Sequence, residues 1–513
     1  MLIEALSYAT ALLSVDVMLV LLIGVAVGLV IGAIPGLSPP MAIALMIPVS
    51  FNLPAEQALV MMVACYAAGI YAGSFSAILL RAPGTSASAA SSIEGYELTR
   101  RGKAVEAIRI STFASVVGGL LSGFVLLLLA PPLAQVALLF GPSEYFLIAI
   151  LGLTAIASVS FGALAKGLIS GMLGLFLATV GIDLYSGFPR FVFGITPLSS
   201  GIDIMPAIIG LFAFAQGLQL CLGPAHDTIA GVTKLSWNLF PKRSEIHHVR
   251  WSLVRGWSCG LVLGIIPAAG ASVAQWIAYA WEIRRGKPGD KFGEGEIKGL
   301  AATEGSNNGS TGTSLIPMFV LGVPGGISAA VILGALIIHG LQPGMRLFTN
   351  NPDVVYTVIW GFILANIVMG VLAALMARLL AYSTVFPKGL IAPLILIFSV
   401  LGTYTNSHNL FDVWLMIAFG VLGYFMMAYR FSTAGVLLGL ILGPIAENGL
   451  RDLMVVSHGS PILFTLQRPI SLALIGLIAL VVFYSTRQTI RERRDRETIA
   501  KVTGEEDVAK GEA

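Results

Sequence analysis

A chain of 513 residues in which 56% are hydrophobic and only 11% are charged, with a mean hydropathy of +0.88, lies far outside the range of water-soluble domains. The net charge of +3 is too small to indicate nucleic acid, and the basic residues gather in short clusters between apolar runs, where they act as topology signals. Cys65, Cys221 and Cys259 stand apart in apolar sequence, so neither a disulfide framework nor a zinc site is supported, and all three are expected as small buried side chains.

Taken in chain order, the first apolar stretch carries Glu4 and Asp16 in place of a basic leader and is read as a membrane segment. A spanning helix needs about 20 mostly apolar residues. Val17 to Ile34, Phe113 to Ala130, Phe146 to Ser160, Tyr356 to Leu380 and Ile470 to Tyr484 are such runs. The expected fold is an all-α polytopic membrane protein with about 10–13 transmembrane segments. After the last run come Arg487, Arg491, Arg493, Arg494 and Arg496, which assign that end to the cytoplasm. The expected organisation is a first membrane repeat half over 1–230, a basic cytoplasmic connector over 231–256, a second half over 257–486 and a charged cytoplasmic tail over 487–513.

Four Gly/Pro breaks interrupt runs where an ordinary helix should continue. The first contains Pro35, Gly36 and Ser38; the second Pro83, Gly84, Thr85, Ser86 and Ser88; the third Pro267, Gly270 and Ser272; the fourth Pro324, Gly325 and Ser328. They form two pairs, the second more widely spaced because of the charged insertion Glu282 to Lys298. Duplicated halves with broken helices in matching places point to a transporter whose substrate site lies at the repeat interface. Asn52 to Gln57 carries no Lys or Arg, whereas its counterpart carries Arg284, Arg285, Lys287, Lys291 and Lys298. The second break is followed by Arg100, Arg101, Lys103 and Arg109, whereas the region after the fourth, His339 to Asp353, has only Arg346. Equivalent loops with opposite bias belong on opposite faces, which makes the repeats inverted.

The breaks also suggest chemistry. Helix N-termini offer N–H groups with partial positive charge, and Ser or Thr beside them adds hydroxyl donors suited to a carboxylate. Asn307 and Asn308, in the polar stretch Thr303 to Ser314, can donate to an anion, and their carbonyls are candidates for a sodium site. Arg81 either neutralises an anionic substrate or reaches the membrane interface, Asp183 and Asp203 are ion-coupling candidates read first as solvent-exposed loop acids, and His339 is a proton-handling candidate read first as interfacial. His247 and His248 lack a metalloprotease spacing, and no nucleophile motif is present, so an intramembrane enzyme is disfavoured. A channel is the other alternative, but it gives no reason for inverted halves.

The stretches Gly32 to Phe51, Tyr71 to Tyr96, Gly264 to Tyr279 and Phe292 to Gly344 resemble the large translocating membrane subunit of the tripartite tricarboxylate transporter family, TctA-like. The family more often has asparagine at Arg81 and aspartate at Glu94. The resemblance implies a non-enzymatic, multi-pass subunit in the bacterial inner membrane. Its partners would be a small membrane subunit (TctB-like) and a periplasmic solute-binding protein (TctC-like). Di- or tricarboxylates such as citrate would enter on a Na+ or H+ gradient, with no other cofactor.

Overall fold

The structure is a computed structural model that describes residues 7–85, 88–159, 164–183, 185–222, 241–266, 270–383, 388–483 and 486. Apart from a two-stranded antiparallel ribbon, Gly181–Ile182 with Pro189–Arg190, the described elements are helices. Among the described residues, eight helices are long and apolar enough to cross a membrane, and five shorter apolar helices accompany them. All-α polytopic architecture is what the composition requires, because only closed hydrogen-bonding elements are tolerated in lipid. Two compact units result, one drawn from residues 1–138 and 203–424 and the other from 139–202 and 425–513.

In the first unit the helices fall into two matching series. The first comprises α1 (Val15–Ala33), α2 (Pro39–Ser50), α3 (Ala55–Leu80), α4 (Ser91–Arg100) and α5 (Ala104–Val136). After Glu144-bearing α6 (Pro142–Val159) and α7 (Leu164–Ala178) in the other unit, and α8 (Ile204–Leu222), comes the second series. It comprises α9 (Arg243–Ile265), α10 (Gly270–Arg284), α11 (Ile297–Gly309) with α12 (Thr311–Leu321), α13 (Ile327–Ile338) and, after the short α14 (Met345–Asn350), α15 (Pro352–Ser383). The connection between the second and third members covers residues 51–54 in the first series and 285–296 in the second, so most of the charged insertion lies between helices, while Glu282 and Arg284 fall in α10 and Lys298 in α11.

Packing repeats with the order. In α1, Gly24, Gly28 and Gly32 lie so close to α3 that an added Cβ would press into the carbonyl oxygens of Met61, Cys65 and Gly69. In α9, Gly256, Gly260 and Gly264 do the same to Ala302, Ser306 and Ser310 of α11–α12. Each stripe has the four-residue spacing that puts small residues on one helix face and lets two backbones meet, the form of contact expected where lipid supplies no hydrophobic drive between helices. The fifth helices exchange partners: α5 packs on α11 and α12, and α15 packs on α3. Gly119 of α5 meets Asn366 of α15, while Gly123 meets Ile363 and Gly370 meets Val116. These reciprocal pairs define a pseudo-two-fold axis.

Loop contacts fix the direction of that axis. Arg101, after α4, reaches Glu294 in the basic 285–296 connection at 3.3 Å. At the opposite end of the series, Ser50 Oγ meets His339 Nε2 at 3.0 Å, and the His339 ring stacks on Phe51 with centroids 5.7 Å apart. The two basic loops therefore share one end, and the two loops poor in Lys and Arg share another. Equivalent loops lie at opposite ends, which is the inverted order that their charges imply.

The second unit packs the helix Thr433–Val456 against α6 and α7. Asp183, expected in solvent, is instead only 8% exposed. Arg451 stands 3.1 Å from it and the Ser186 hydroxyl donates to it at 2.6 Å. Ser186, opposed by burial and assisted by Arg451, holds the Asp183 carboxyl at about 2. Asp203 is exposed and caps α8, its Oδ1 accepting the Met205 amide at 3.0 Å. Of the cysteines, Cys65 and Cys259 are buried as expected, but Cys221 is exposed, because it lies in the last turn of α8.

Candidate functional site

The two Pro-Gly breaks following α3 and α12 have one backbone design. Arg81 ends α3 in the left-handed region at φ 58°, and Gly322 ends α12 at φ 70°. Their amides return to Ala77 and Met318, at 3.2 and 3.0 Å. Next, Ala82 donates to Ser76 (3.3 Å) and Val323 to Pro317 (3.2 Å). Finally the glycine after each proline donates back to its own helix, Gly84 to Gly73 (3.1 Å) and Gly325 to Ser314 (3.2 Å). Both breaks thus satisfy the terminal carbonyls of their helix before the chain reverses. Glycine is required at 84 and 325, since a Cβ would meet the Gly73 Cα at 2.9 Å or the Ser314 Cα at 2.8 Å. Arg81 occupies a conformation that glycine prefers and lies exposed, its guanidinium 5.8 Å from the Tyr96 ring centroid.

The other two breaks also match. Ile34 and Ile266 close α1 and α9 in extended conformation, donating to Ile31 and Leu263, each at 3.2 Å. In the first of them, Pro35 is half-buried and Gly36 has φ 89°. Gln216 of α8 clasps this turn, accepting from Ser38 Oγ at 2.9 Å and donating to the Gly36 carbonyl. Pro267 lies outside the described residues; Gly270 opens α10 and Ser272 follows in its first turn.

Breaks one and two come together: an added Cβ at Gly84 would lie 2.7 Å from the Gly32 carbonyl oxygen, and one at Gly69 would lie 3.1 Å from Pro39. Beside them Thr85 and Ser88 bond each other, Thr85 Oγ1 to Ser88 Oγ at 3.1 Å and Ser88 Oγ to the Thr85 carbonyl at 3.0 Å. Pro83 is exposed, and Ser86 lies outside the described residues. At the fourth break Pro324 and Gly325 are buried, and Ser328 is buried in the first turn of α13.

Asn307 and Asn308 are fully buried in α11, between the two Pro-Gly breaks. Tyr66 of α3 donates to or accepts from Ser314 Oγ at 3.0 Å, so α3 reaches the residue on which the fourth break rests. Asn308 Nδ2 donates to the Ala67 carbonyl of α3 at 3.2 Å, leaving its Oδ1 without a partner. Asn307 has neither its Nδ2 nor its Oδ1 hydrogen-bonded among the described residues. Buried amides are nearly always paired, so Asn307 retains its full donor and acceptor capacity for a further partner. The local reason is the repeat: the glycine stripe of α9 holds the α11 backbone tightly, and Asn307 occupies the position that Tyr66 occupies in α3.

Sequence reasoning missed several buried acids, of which Glu94 and Glu304 join the two repeats. Glu94 of α4 accepts from the Tyr279 hydroxyl (2.7 Å) and from the amides of Gly293 (2.7 Å), Gly295 (2.8 Å) and Glu296 (2.7 Å), fastening the charged connection to the first repeat. Glu304 of α11 accepts from Ser111 and Ser115. An acid within an otherwise uncharged polar run was the available signal for Glu304.

A helical membrane protein made of two inverted repeats, each with its own pair of Gly/Pro-broken helices, has the build of a secondary transporter. Residues 18–438 match the model of the tripartite tricarboxylate transporter TctA family. The chain is also 33% identical over 492 residues to an uncharacterized 52.8 kDa protein in the TAR-I ttuC' 3' region of Agrobacterium vitis, covering 96% of this chain and 97% of that one. A second Agrobacterium vitis protein, uncharacterized and from the TAR-II ttuC' 3' region, is 33% identical over 237 residues, 46% of this chain and 98% of its own. No solved structure matches. The chain belongs to the tripartite tricarboxylate transporter TctA family.

Proposed function

We propose that this subunit imports di- or tricarboxylate anions of the citrate type across the bacterial inner membrane. A periplasmic solute-binding protein delivers the anion, a small membrane subunit completes the complex, and an ion gradient drives uptake. Family membership supports the tripartite assembly. The observation that carries the site is the unpartnered amide of Asn307. In the first repeat the Tyr66 ring spans from α3 to Ser314 under the fourth break. On this reading Asn307, the counterpart of Tyr66, faces the second break as Tyr66 faces the fourth, with a side chain shorter than the tyrosine ring. A carboxylate there would accept from the Asn307 amide and from backbone donors of the break, at little desolvation cost. Ser328 and the start of α13 supply the corresponding wall at the fourth break, and the first and third breaks flank them. The Lys and Arg content of the basic loops supports a cytoplasmic position for the 285–296 connection and the C-terminal end.

Co-reconstitution of the three components in proteoliposomes tests this reading with labelled citrate. Uptake is expected only with the solute-binding protein present and a gradient imposed. Asn307→Ala should weaken apparent affinity roughly tenfold or more, the cost of a hydrogen bond to a charged group. Robust uptake by the purified chain alone would overturn the assignment.

A further inference from the structure

Glu304 lies in the middle of α11 with its side chain fully buried. Two serines one turn apart on α5 aim at the same oxygen, Ser111 Oγ to Oε2 at 2.9 Å and Ser115 Oγ to Oε2 at 3.2 Å. Ser74 of α3 and Ser91 of α4 also lie beside the carboxyl. Ser91 commits its proton to Thr303 Oγ1 at 3.1 Å, and Ser74 has no partner of its own. The other carboxyl oxygen, Oε1, is unpartnered.

The half-buried cations on α11 and on the helices packed around it have partners of their own. From α5, Arg109 pairs with Glu245 of α9 at 3.3 Å. From α9, Arg255 pairs with Glu282 of α10 at 2.6 Å. Tyr279 of α10 donates to Glu94 of α4, whose remaining capacity is filled by backbone amides. From α3, Tyr71 bonds Thr112 at 2.6 Å, Tyr66 bonds Ser314, and Cys65 is buried and free, as is Cys259 of α9. On α11 itself Lys298 pairs with Asp290 at 2.6 Å, and α12 has no titratable group. No cation among the described residues faces Glu304. An ionised carboxylate sealed without a counter-charge is too costly to persist, so the group must hold a cation of its own. No group of three or more His, Cys, Asp and Glu side chains that could hold a metal ion occurs among the described residues.

We propose that Glu304 is the proton-carrying group of this subunit, neutral at pH 7 in the state described, with the proton on Oε1 and Oε2 accepting from Ser111 and Ser115. Protonation forms one O–H bond and removes one negative charge from the helix core; release returns both to a hydrated state of the site. The role of coupling ion rests on the transport reading above, but the protonation state does not.

Infrared spectra of the full chain in lipid nanodiscs, taken as wild type minus Glu304→Gln at constant ionic strength, test it directly. Glutamine mimics the neutral acid in shape and charge. The difference should contain the C=O band of a protonated carboxyl at pH 7 that fades as pH rises and is unchanged when choline chloride is replaced by sodium chloride. The double variant Ser111→Ala, Ser115→Ala removes donors that favour the ionised form, so its band should persist to higher pH by about one unit, a tenfold change in proton affinity. Absence of the band at pH 7, its removal by sodium at fixed pH, or an unmoved titration in the serine variant would each overturn the proposal. None of these readouts requires the substrate to be a carboxylate.

Discussion

Asn308 donates its side-chain amide to the main-chain oxygen of Ala67 across 3.2 Å, and Ala67 is its own counterpart in the first repeat. Such self-paired positions occur only where a two-fold axis passes, and Gly119 with Asn366 is a second example. The axis therefore threads the crossing of α3 with α11 and of α5 with α15. That crossing is the natural place for a site reached alternately from both faces.

Asn308→Ala should accordingly loosen the crossing itself. Removing the amide leaves the buried Ala67 carbonyl without its partner, at about 1–3 kcal/mol. Thermal unfolding of the purified chain in detergent should show a lower midpoint for Asn308→Ala than for Leu472→Ala, which removes an exposed side chain. Equal midpoints would mean that the bond contributes nothing.

The Glu94 clasp predicts a local effect. Its carboxyl accepts four hydrogen bonds, three of them from the 285–296 connection. Glu94→Gln replaces one acceptor oxygen by a donor that faces other donors. Cleavage by trypsin after Lys291 should become several-fold faster in this variant, whereas Glu97→Gln, whose half-buried carboxyl pairs with Arg100 of the same helix, should leave the rate unchanged.

Much of this architecture was legible in the residues, and the illegible part has physical causes. Composition alone forces helices, and the breaks are visible because proline and glycine act locally on the backbone. Loop charge gave the inverted order, since Arg101 with Glu294 and Ser50 with His339 join the loops that it groups. The stripes Gly24, Gly28, Gly32 and Gly256, Gly260, Gly264 were equally available as spaced small residues and would have aligned the halves directly. Harder to see was that Thr303 to Ser314, polar enough for a loop, is buried helix. Its hydroxyls bond mostly to carbonyls of the preceding turn, so the helix carries polar side chains without exposing them. Asp183 seemed solvent-exposed because its partner Arg451 is remote in sequence.

That ion pair has a pH signature. Asp183 sits at about 2, below the 3.8 of an ordinary aspartate, so its native interactions favour the ionised form. The stabilisation is complete above 3.8 and is lost as pH falls through about 2. Pepsin cleavage around Tyr185 and Phe188, compared between wild type and Asp183→Asn at each pH, should be slower in wild type at pH 4, with the two rates converging as pH approaches 2. A constant ratio across that interval would exclude the titration of Asp183 as the cause.

The last prediction concerns sidedness, which follows from the same loop pairing. Asn52 lies on the connection poor in basic residues and Lys287 on the basic one, and both side chains are exposed. Because Arg101 and Glu294 mark one end of the repeat while Ser50 and His339 mark another, the two positions belong on opposite faces of the bilayer. In a background with Cys65, Cys221 and Cys259 replaced by alanine, Asn52→Cys should react in intact cells with a thiol reagent that cannot cross the inner membrane. Lys287→Cys should react only after the membrane is opened. His339→Cys should label with Asn52→Cys, and Arg101→Cys with Lys287→Cys, because the two-fold axis exchanges the ends of the repeats. Labelling of Asn52→Cys and Lys287→Cys from the same side would require a parallel repeat and would remove the geometric basis for a site at the Ala67 and Asn308 crossing.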